Sequence, residues 1–391
     1  MIGGHTERAH ALLSPSSAHM WLKCTPSAKL SAQFPDTTSS AAAEGTLAHE
    51  ICEAKLQHYF NTKDYSKRKL TSFINKCKKS ELWDDEMVGH TDTYAEYVKD
   101  KAMAYENVPF VQIEASLDLS TYIAEPGARG TADCLLIGGD TLTIIDFKYG
   151  KGVPVSAEFN PQLMIYALGA YSTYSMLFDI KRVKLCICQP RIDNSNEWEV
   201  GIEELLSFGE YVKKRSEKAF NGVGEYAPGE SQCRFCRAKA QCRARADRNL
   251  ELAGFTAEKP PLLSNDEVGE YLKRGEDVAK WLSDLKDYAL SECLAGKEVA
   301  GWKAVEGRGS REWTDADAAF KELIDSGTPE EMLYERKQLT LAGVEKLLGK
   351  KEFESKVGKY VDKKPGKPAL VVESDKRQAI TNTISAEDAF K

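Results

Sequence analysis

Apolar positions recur at helical spacing through much of the first hundred residues and turn to strict alternation from Val111. From Ser14 to about Phe60 the pattern is helical, broken by a polar loop from Pro35 to Ser40. Ala41 to Phe60, rich in Ala, Leu and Glu, predicts a helix of about five turns. Lysines crowd Lys63 to Lys79, the mark of a solvated surface stretch, and Thr91 to Tyr105 returns to helical spacing. Val111 to Ala115 alternates at the strand period. Asp133–Ile137 and Thr141–Lys148 are β-rich runs on either side of Gly138-Gly139-Asp140, and together they read as a hairpin. Pro161 to Tyr171 reads as a helix, Val183 to Cys188 as a strand and Ile202 to Phe220 as a helix. Strands interleaved with helices predict an α/β or α+β core.

The texture shifts near residue 250. Pro260-Pro261 marks a linker, and Ser264 with Glu267 forms a capping-box signature. Val268, Leu272, Val278, Trp281, Leu285 and Tyr288 then trace an apolar stripe that stops at Gly296. A short β-like unit follows around Trp302, then further helices, then a Lys/Pro/Gly-rich tail from Lys363. The expected organisation is one domain over 1–250 and a mostly helical appendage over 251–391. No repeat at a fixed period is present.

Composition narrows the function classes. With 42% apolar and 29% charged residues, the chain has the profile of a globular protein. No run approaches the roughly 20 apolar residues of a membrane span, so no membrane partner is expected. His5, Glu7 and Arg8 stand where a signal peptide needs an apolar stretch, which predicts a cytoplasmic location. The net charge of −7 argues against an indiscriminate nucleic-acid coat protein but leaves room for a local basic groove. In a reducing compartment, ten cysteines call for an explanation other than disulfides.

The hairpin carries the most chemistry. Asp146 and Lys148 lie two apart on a strand and share a face. If Gly139-Asp140 is a two-residue turn, Gly138 pairs with Thr141 and Asp133 falls opposite Asp146, so two carboxylates and an amine converge. A three-residue turn would shift the register by one and undo this. Two adjacent carboxylates repel unless a cation lies between them, which makes the pair a natural site for Mg²⁺ or Mn²⁺. The bland alternative is an Asp–Lys ladder on a half-exposed hairpin. Ile144, Ile145 and Phe147 weigh against it, since they predict a buried strand where unpaired charge is costly. Upstream, His49 and Glu53 share one helical face, and His49 offers a neutral imidazole as ligand. Downstream, Gln162 and Tyr166 share a face of the helix after the hairpin, a pattern that also fits an amphipathic helix resting on the sheet.

Cys233, Cys236 and Cys242 form C-x2-C-x5-C, close enough to chelate a metal or a cluster. A fourth ligand is required for tetrahedral Zn²⁺ or an iron–sulfur cubane, and Cys24 is the candidate. The other six cysteines read as small core residues. Arg234 to Arg248 is strongly basic, which suits a knuckle beside a phosphate backbone.

In order along the chain stand Ser14-Pro15-Ser16 leading to Cys24, G-T-x-x-H-x-x-x-E at Gly45–Glu53, Gly130-Thr131-Ala132-Asp133, Asp146-Phe147-Lys148, Gln162-x-x-x-Tyr166, and Cys233, Cys236 and Cys242. This series, over about residues 11 to 245, resembles the RecB-like branch of the PD-(D/E)XK nucleases, particularly phage-encoded relatives of the CRISPR-associated and AddB-type iron–sulfur exonucleases. The resemblance implies a restriction-endonuclease-like mixed sheet flanked by helices. It implies catalytic metals, Mg²⁺ or Mn²⁺, held by His49, Asp133, Asp146 and the Phe147 carbonyl. Lys148 would orient the attacking water, with Gln162 and Tyr166 supporting the site and contacting DNA. It also implies a [4Fe–4S] cluster on Cys24, Cys233, Cys236 and Cys242, with Zn²⁺ the alternative. The chain has no G-x-x-x-x-G-K-[ST] P-loop, so it departs from the helicase–nuclease fusions.

The leading expectation is therefore an exonuclease that hydrolyses phosphodiesters at DNA ends by two-metal-type water attack. Its setting would be phage replication or recombination in the host cytoplasm, with a single-strand annealing or single-strand-binding protein as partner and an oligomer allowed. The alternatives are a catalytically silent DNA-end-binding or scaffold protein and a zinc-stapled regulatory protein. Residues 251–391 lie outside the resemblance, and Arg308 and Arg311 are candidates there for gripping DNA.

Overall fold

A computed structural model of the chain describes residues 11–35, 40–250, 264–305, 315–326, 329–333 and 339–361. They fall into two compact units, residues 1–305 and 306–391. Pro260-Pro261, Arg308, Arg311 and the tail from Lys363 lie outside the described residues.

A single 3-10 turn at Pro15–Ser17 leads into two short helices, α1 (Ala18–Trp21) and α2 (Ser27–Ser31). Three longer helices follow, α3 (Ser40–Phe60), α4 (Lys67–Cys77) and α5 (Glu86–Met103). The sheet comprises β1 (Phe110–Asp118), β2 (Arg129–Gly138) and β3 (Thr141–Phe147), then after α6 (Pro161–Tyr174), β4 (Arg182–Gln189) and β5 (Asn194–Gly201). α7 (Ile202–Asn221), α8 (Glu230–Arg234), α9 (Arg243–Leu250) and α10 (Asn265–Leu294) complete the first unit. The second unit is helical among its described residues: α11 (Ala316–Asp325), α12 (Glu330–Leu333), α13 (Leu341–Leu348) and α14 (Lys350–Val357).

The five strands lie in sequence order. β3 and β4 are parallel and every other neighbouring pair is antiparallel. Parallel neighbours need a long connection, and α6 supplies it. Each face of the sheet has its own core. On one side Leu135, Ile144 and Leu185 pack with Leu163 and Leu168 of α6 and Leu205 of α7. On the other, Cys134, Ile145 and Phe147 pack with Ile51 of α3 and with Tyr94 and Val98 of α5. β3, the central strand, is buried at every position, which is why it reads as a continuous apolar run rather than an alternation. This is the mixed, helix-flanked sheet of an α+β protein. Among the described residues no helix is long and apolar enough to cross a membrane.

β5 is absent from the sequence reading. Asn194-Ser-Asn-Glu-Trp-Glu-Val-Gly carries few apolar residues because it is an edge strand, and Val200 alone of its side chains is buried. The β-like unit at Trp302 reduces to an isolated bridge with Val299. The lysine-rich stretch after Lys63 includes a capped surface helix, α4, begun by Ser66, whose hydroxyl accepts from the Lys69 N–H.

The basic segment Arg234–Arg248 does not present all its charge outward. Arg245, 3% exposed, turns into the seam between α9 and α10. There it pairs with Asp284 at 2.5 Å and Asp277 at 3.7 Å, and Lys239 reaches Asp284 at 2.8 Å. Burial pushes the Asp284 carboxyl up, but hydrogen bonds from Arg245 and Lys239 outweigh it and hold the group below its ordinary range. A carboxyl depressed in the folded state stabilises fully above its unfolded pKa, and this is lost as pH falls through the folded value. Removing the arginine leaves Asp277 without its paired cation and Asp284 with Lys239 alone. Arg245→Ala is expected to cost roughly 3 kcal/mol at neutral pH, and the deficit should shrink in acid as Asp284 protonates. Urea unfolding of the variant and the parent chain at two pH values measures both effects.

Candidate metal centre and cysteine pocket

In the hairpin, Gly138 opposes Thr141, leaving Gly139 and Asp140 as a two-residue turn. Gly139 has φ +57°, a conformation glycine adopts without strain. Pairing continues back to Cys134 opposite Ile145, so the next position in register sets Asp133 beside Asp146. On the other flank of β2, Ile113 pairs with Cys134 and Ala115 with Ala132, which sets Glu114 beside Asp133. Three carboxylates thus occupy one row across β1, β2 and β3.

The sheet is irregular along this row. Glu114 has φ +49°, rare for a residue with a side chain. Ile113 belongs to the core on the α3/α5 side, whereas Ala115 and Leu117 belong to the α6/α7 side. Cys134 and Ala132 divide in the same way. The inside–outside alternation of both strands reverses at Glu114 and Asp133, which takes these acids out of either apolar core.

The surrounding elements supply a partner for each charge. α3 is fastened by buried Ala48, Ile51, Cys52 and Leu56, and it brings His49 Nδ1 to 3.2 Å from Asp133 Oδ1. The Phe147 N–H donates to the other Asp133 oxygen at 2.7 Å, and the Phe147 ring meets the His49 imidazole edge-on at 5.1 Å. Lys148 Nζ lies 3.0 Å from Asp146 Oδ2 and donates to Gln162 Oε1 at 2.9 Å. Gln162 Nε2 donates to Asp146 Oδ1 at 3.2 Å and to the Tyr166 hydroxyl at 3.1 Å. α6 is aimed by its start: the Asn160 side chain accepts from the N–H groups of Gln162 and Leu163, and Pro161 occupies the first turn. Asp133, Asp146, Lys148, Gln162, Tyr166, His49 and Phe147 therefore form one connected network. Glu53, one turn beyond His49, influences Tyr65 instead.

Exposure grades across the network, from 35% for the His49 side chain and 16% for Asp133 to 4% for Asp146. Burial raises the Asp146 carboxyl above its ordinary value, Lys148 opposes this and Asp133 adds to it. Burial acts in the same sense on Asp133, but His49 and the Phe147 N–H outweigh it and hold that carboxyl low. Burial would neutralise Lys148, yet Asp146 and Asp133 keep its ammonium charged. Asp146 Oδ2 is fully buried and accepts no well-aligned hydrogen bond among the described residues.

His49, Glu114 and Asp133 each offer a ligand atom, all within 4.8 Å of one another, and so could hold a metal ion. Carboxylate oxygens with one imidazole suit a hard divalent cation, and the buried carboxylate of Asp146, paired with Lys148, stands next in the row. Glu114 escapes sequence reading. An acid at that place in an alternating run reads as an outward-facing residue, and nothing in Val111–Ala115 signals a left-handed backbone. The one available clue is the register itself, which carries the row from Asp133 to the preceding strand.

The four cysteines also converge. Cys24, Cys233, Cys236 and Cys242 line one small pocket with Tyr226 and Pro228. Two sulfurs already receive main-chain hydrogen bonds, Cys24 from Ala227 at 3.5 Å and Cys233 from Gly229 at 3.3 Å. Donors of this kind tune and orient thiolate ligands. Burial raises the Cys233 and Cys236 thiols. Of the remaining cysteines, Cys52, Cys77, Cys134, Cys186 and Cys188 are buried and Cys293 is half-buried.

The chain is thus an α+β protein with three acids on adjacent strands, an imidazole brought to them by α3, and a four-cysteine pocket. The chain belongs to the family described as "Protein of unknown function (DUF2800)", which it matches over residues 10–378. It is also similar to a solved structure described as "Crystal structure of SSO0001", with 16% identity over 51% of this chain and 85% of that one, at a TM-score of 0.25.

Gly130 is set by packing. A Cβ there would lie 2.9 Å from the Tyr166 ring, 3.1 Å from Leu119 and 3.2 Å from Pro15. Gly130→Ala is expected to displace the tyrosine from Gln162 and cost roughly 1–3 kcal/mol. Thermal unfolding measures the cost, and weaker Mn²⁺ binding by calorimetry reports the disturbed network.

Proposed function

We propose that this protein is a divalent-metal-dependent deoxyribonuclease of the RecB-like PD-(D/E)XK type that digests DNA from free ends. The observation that supports this reading most is the row of Glu114, Asp133 and Asp146 across three neighbouring strands, bordered by His49 and Lys148. A structural ion-pair network has no need of three acids in line and a reversed strand alternation. A phosphodiesterase needs acids that concentrate positive charge at one phosphate.

Mg²⁺ or Mn²⁺, held by Glu114, Asp133 and His49 beside Asp146, would neutralise phosphate charge and make water acidic enough to attack at neutral pH. The protein's own residues do the rest. His49 and the Phe147 N–H fix both oxygens of Asp133 and keep it ionised. Asp146 and Gln162 anchor Lys148, so its ammonium stays charged where a nucleophile needs orienting and where charge develops on phosphate. Tyr166 and Gln162 fix each other, and Gln162 orients Asp146 in turn.

The cysteines fit a cluster in this reading. Three thiolates on one tetrahedral Zn²⁺, at about 2.3 Å each, would lie within roughly 4 Å of one another. Among the described residues the close-set potential ligands are His49, Glu114 and Asp133, and no trio of cysteines is as tightly grouped. We read the pocket as the seat of a [4Fe–4S] group, structural in role, that ties Cys24 to the segment after α7, with Zn²⁺ the alternative. The products would suit a single-strand annealing or single-strand-binding protein as the next partner.

Two experiments test the proposal. End-labelled linear DNA with Mn²⁺ should release nucleotides. Asp146→Asn and Glu114→Gln should reduce release to background, and Lys148→Met should slow it roughly 100- to 1,000-fold. Hydrolysis that persists in Asp146→Asn removes the reading. Separately, anaerobically purified protein should be brown and contain iron and acid-labile sulfide, both lost in Cys242→Ser together with a lower melting temperature. A colourless chain with stoichiometric zinc overturns the cluster assignment.

A further inference from the structure

Between the acid row and the cysteine pocket lies a surface that neither centre uses. α1 packs against α6, which carries Gln162 and Tyr166, and against α8, which carries Cys233. From α1, His19 meets the Phe235 ring edge-on, with centroids 5.7 Å apart and planes at 86°. Phe235 is 65% exposed although it lies between two cysteines of the pocket. Lys23, one turn beyond His19, donates to Ser231 at 3.1 Å, and Arg234 pairs with Glu230 at the solvent edge at 2.9 Å. His19 Nδ1 is engaged with the Ser16 carbonyl, whereas Nε2 is buried and has no hydrogen-bond partner among the described residues.

These features share one chemistry. An exposed aromatic held upright offers a face to an unstacked base, and the ammonium and guanidinium beside it match a phosphodiester backbone. A paired duplex presents no free base face, so the aromatic selects a single strand. Burial holds the His19 imidazole below its ordinary pKa, and Lys23, Lys148 and Arg234 push the same way. α6, against which α1 packs, carries Gln162, and the Lys148 ammonium donates to that side chain at 2.9 Å.

We infer that His19, Lys23, Arg234 and Phe235 form a track for a single-stranded nucleic-acid end, which stacks a base on Phe235 and leads its backbone toward Lys148. Its direction rests on the nuclease reading, while the binding itself does not. An incoming strand that shifts Phe235 would also give His19 Nε2 the partner it lacks.

The test uses the full chain in EDTA and a labelled single strand of about 20 nucleotides beside a blunt duplex of equal length, read by fluorescence anisotropy. Phe235→Ala should weaken single-strand binding roughly 5- to 100-fold and leave duplex binding nearly unchanged, and Phe235→Trp should restore it. The double variant Lys23→Ala, Arg234→Ala should flatten the salt dependence of binding by about 1.4 in log–log slope. Single-strand affinity equal in Phe235→Ala and the parent chain, or absent from the parent chain, overturns the track. A parent chain that binds the strand but never hydrolyses it with Mn²⁺ removes the nuclease reading and leaves the track standing.

Discussion

Like charges on adjacent strands must be compensated or expelled, and the centre of this sheet is arranged around that requirement. Glu114, Asp133 and Asp146 lie where an apolar sheet would put three hydrocarbon side chains. Burial disfavours ionised carboxylates, and the groups around them counter it: an imidazole and a main-chain N–H outweigh it at Asp133, while an ammonium and an amide oppose it at Asp146. The backbone makes its own concession, because strand alternation reverses at Glu114 and Asp133 and Glu114 takes a left-handed conformation. Such irregularity persists only where the surroundings over-determine it. Here they do, with a complete core on each face of the sheet.

The N-terminal segment joins this centre to the cysteine pocket. Pro15 packs against Gly130 at the edge of the acid row, and nine residues later Cys24 lines the pocket. Between them Trp21 is fully buried and its indole N–H donates to the Ser14 carbonyl. Arg215 of α7 donates to the carbonyls of Leu22 and Lys23, and Thr25 donates to the Val223 carbonyl. A change at the cysteines is thus a few rigid contacts from Tyr166.

Much of this was legible from residue order. The two-residue turn at Gly139-Asp140 determined the hairpin register, and the register placed Asp133 beside Asp146. Helical spacing put Gln162 and Tyr166 on one face, and the cysteine spacing identified three lining residues of the pocket. What escaped has physical reasons. Glu114 adopts a backbone conformation that its residue type does not advertise. β5 is an edge strand whose polar side chains resemble a loop. Arg245 belongs to a basic run that reads as a knuckle beside a phosphate backbone, and only the tertiary position of Asp277 and Asp284 on α10 turns it inward.

The clasp between Cys24 and the segment of Cys233–Cys242, far apart in sequence, has a consequence for the order of synthesis. Every acid of the row, with His49, Lys148, Gln162 and Tyr166, leaves the ribosome before Cys233, Cys236 and Cys242 do. Until then α1 has α6 and α7 to pack on but lacks α8 and the last three thiols. A nascent chain therefore holds the whole acid row long before it holds the cysteines that complete the pocket, so the pocket closes only when translation has passed residue 242.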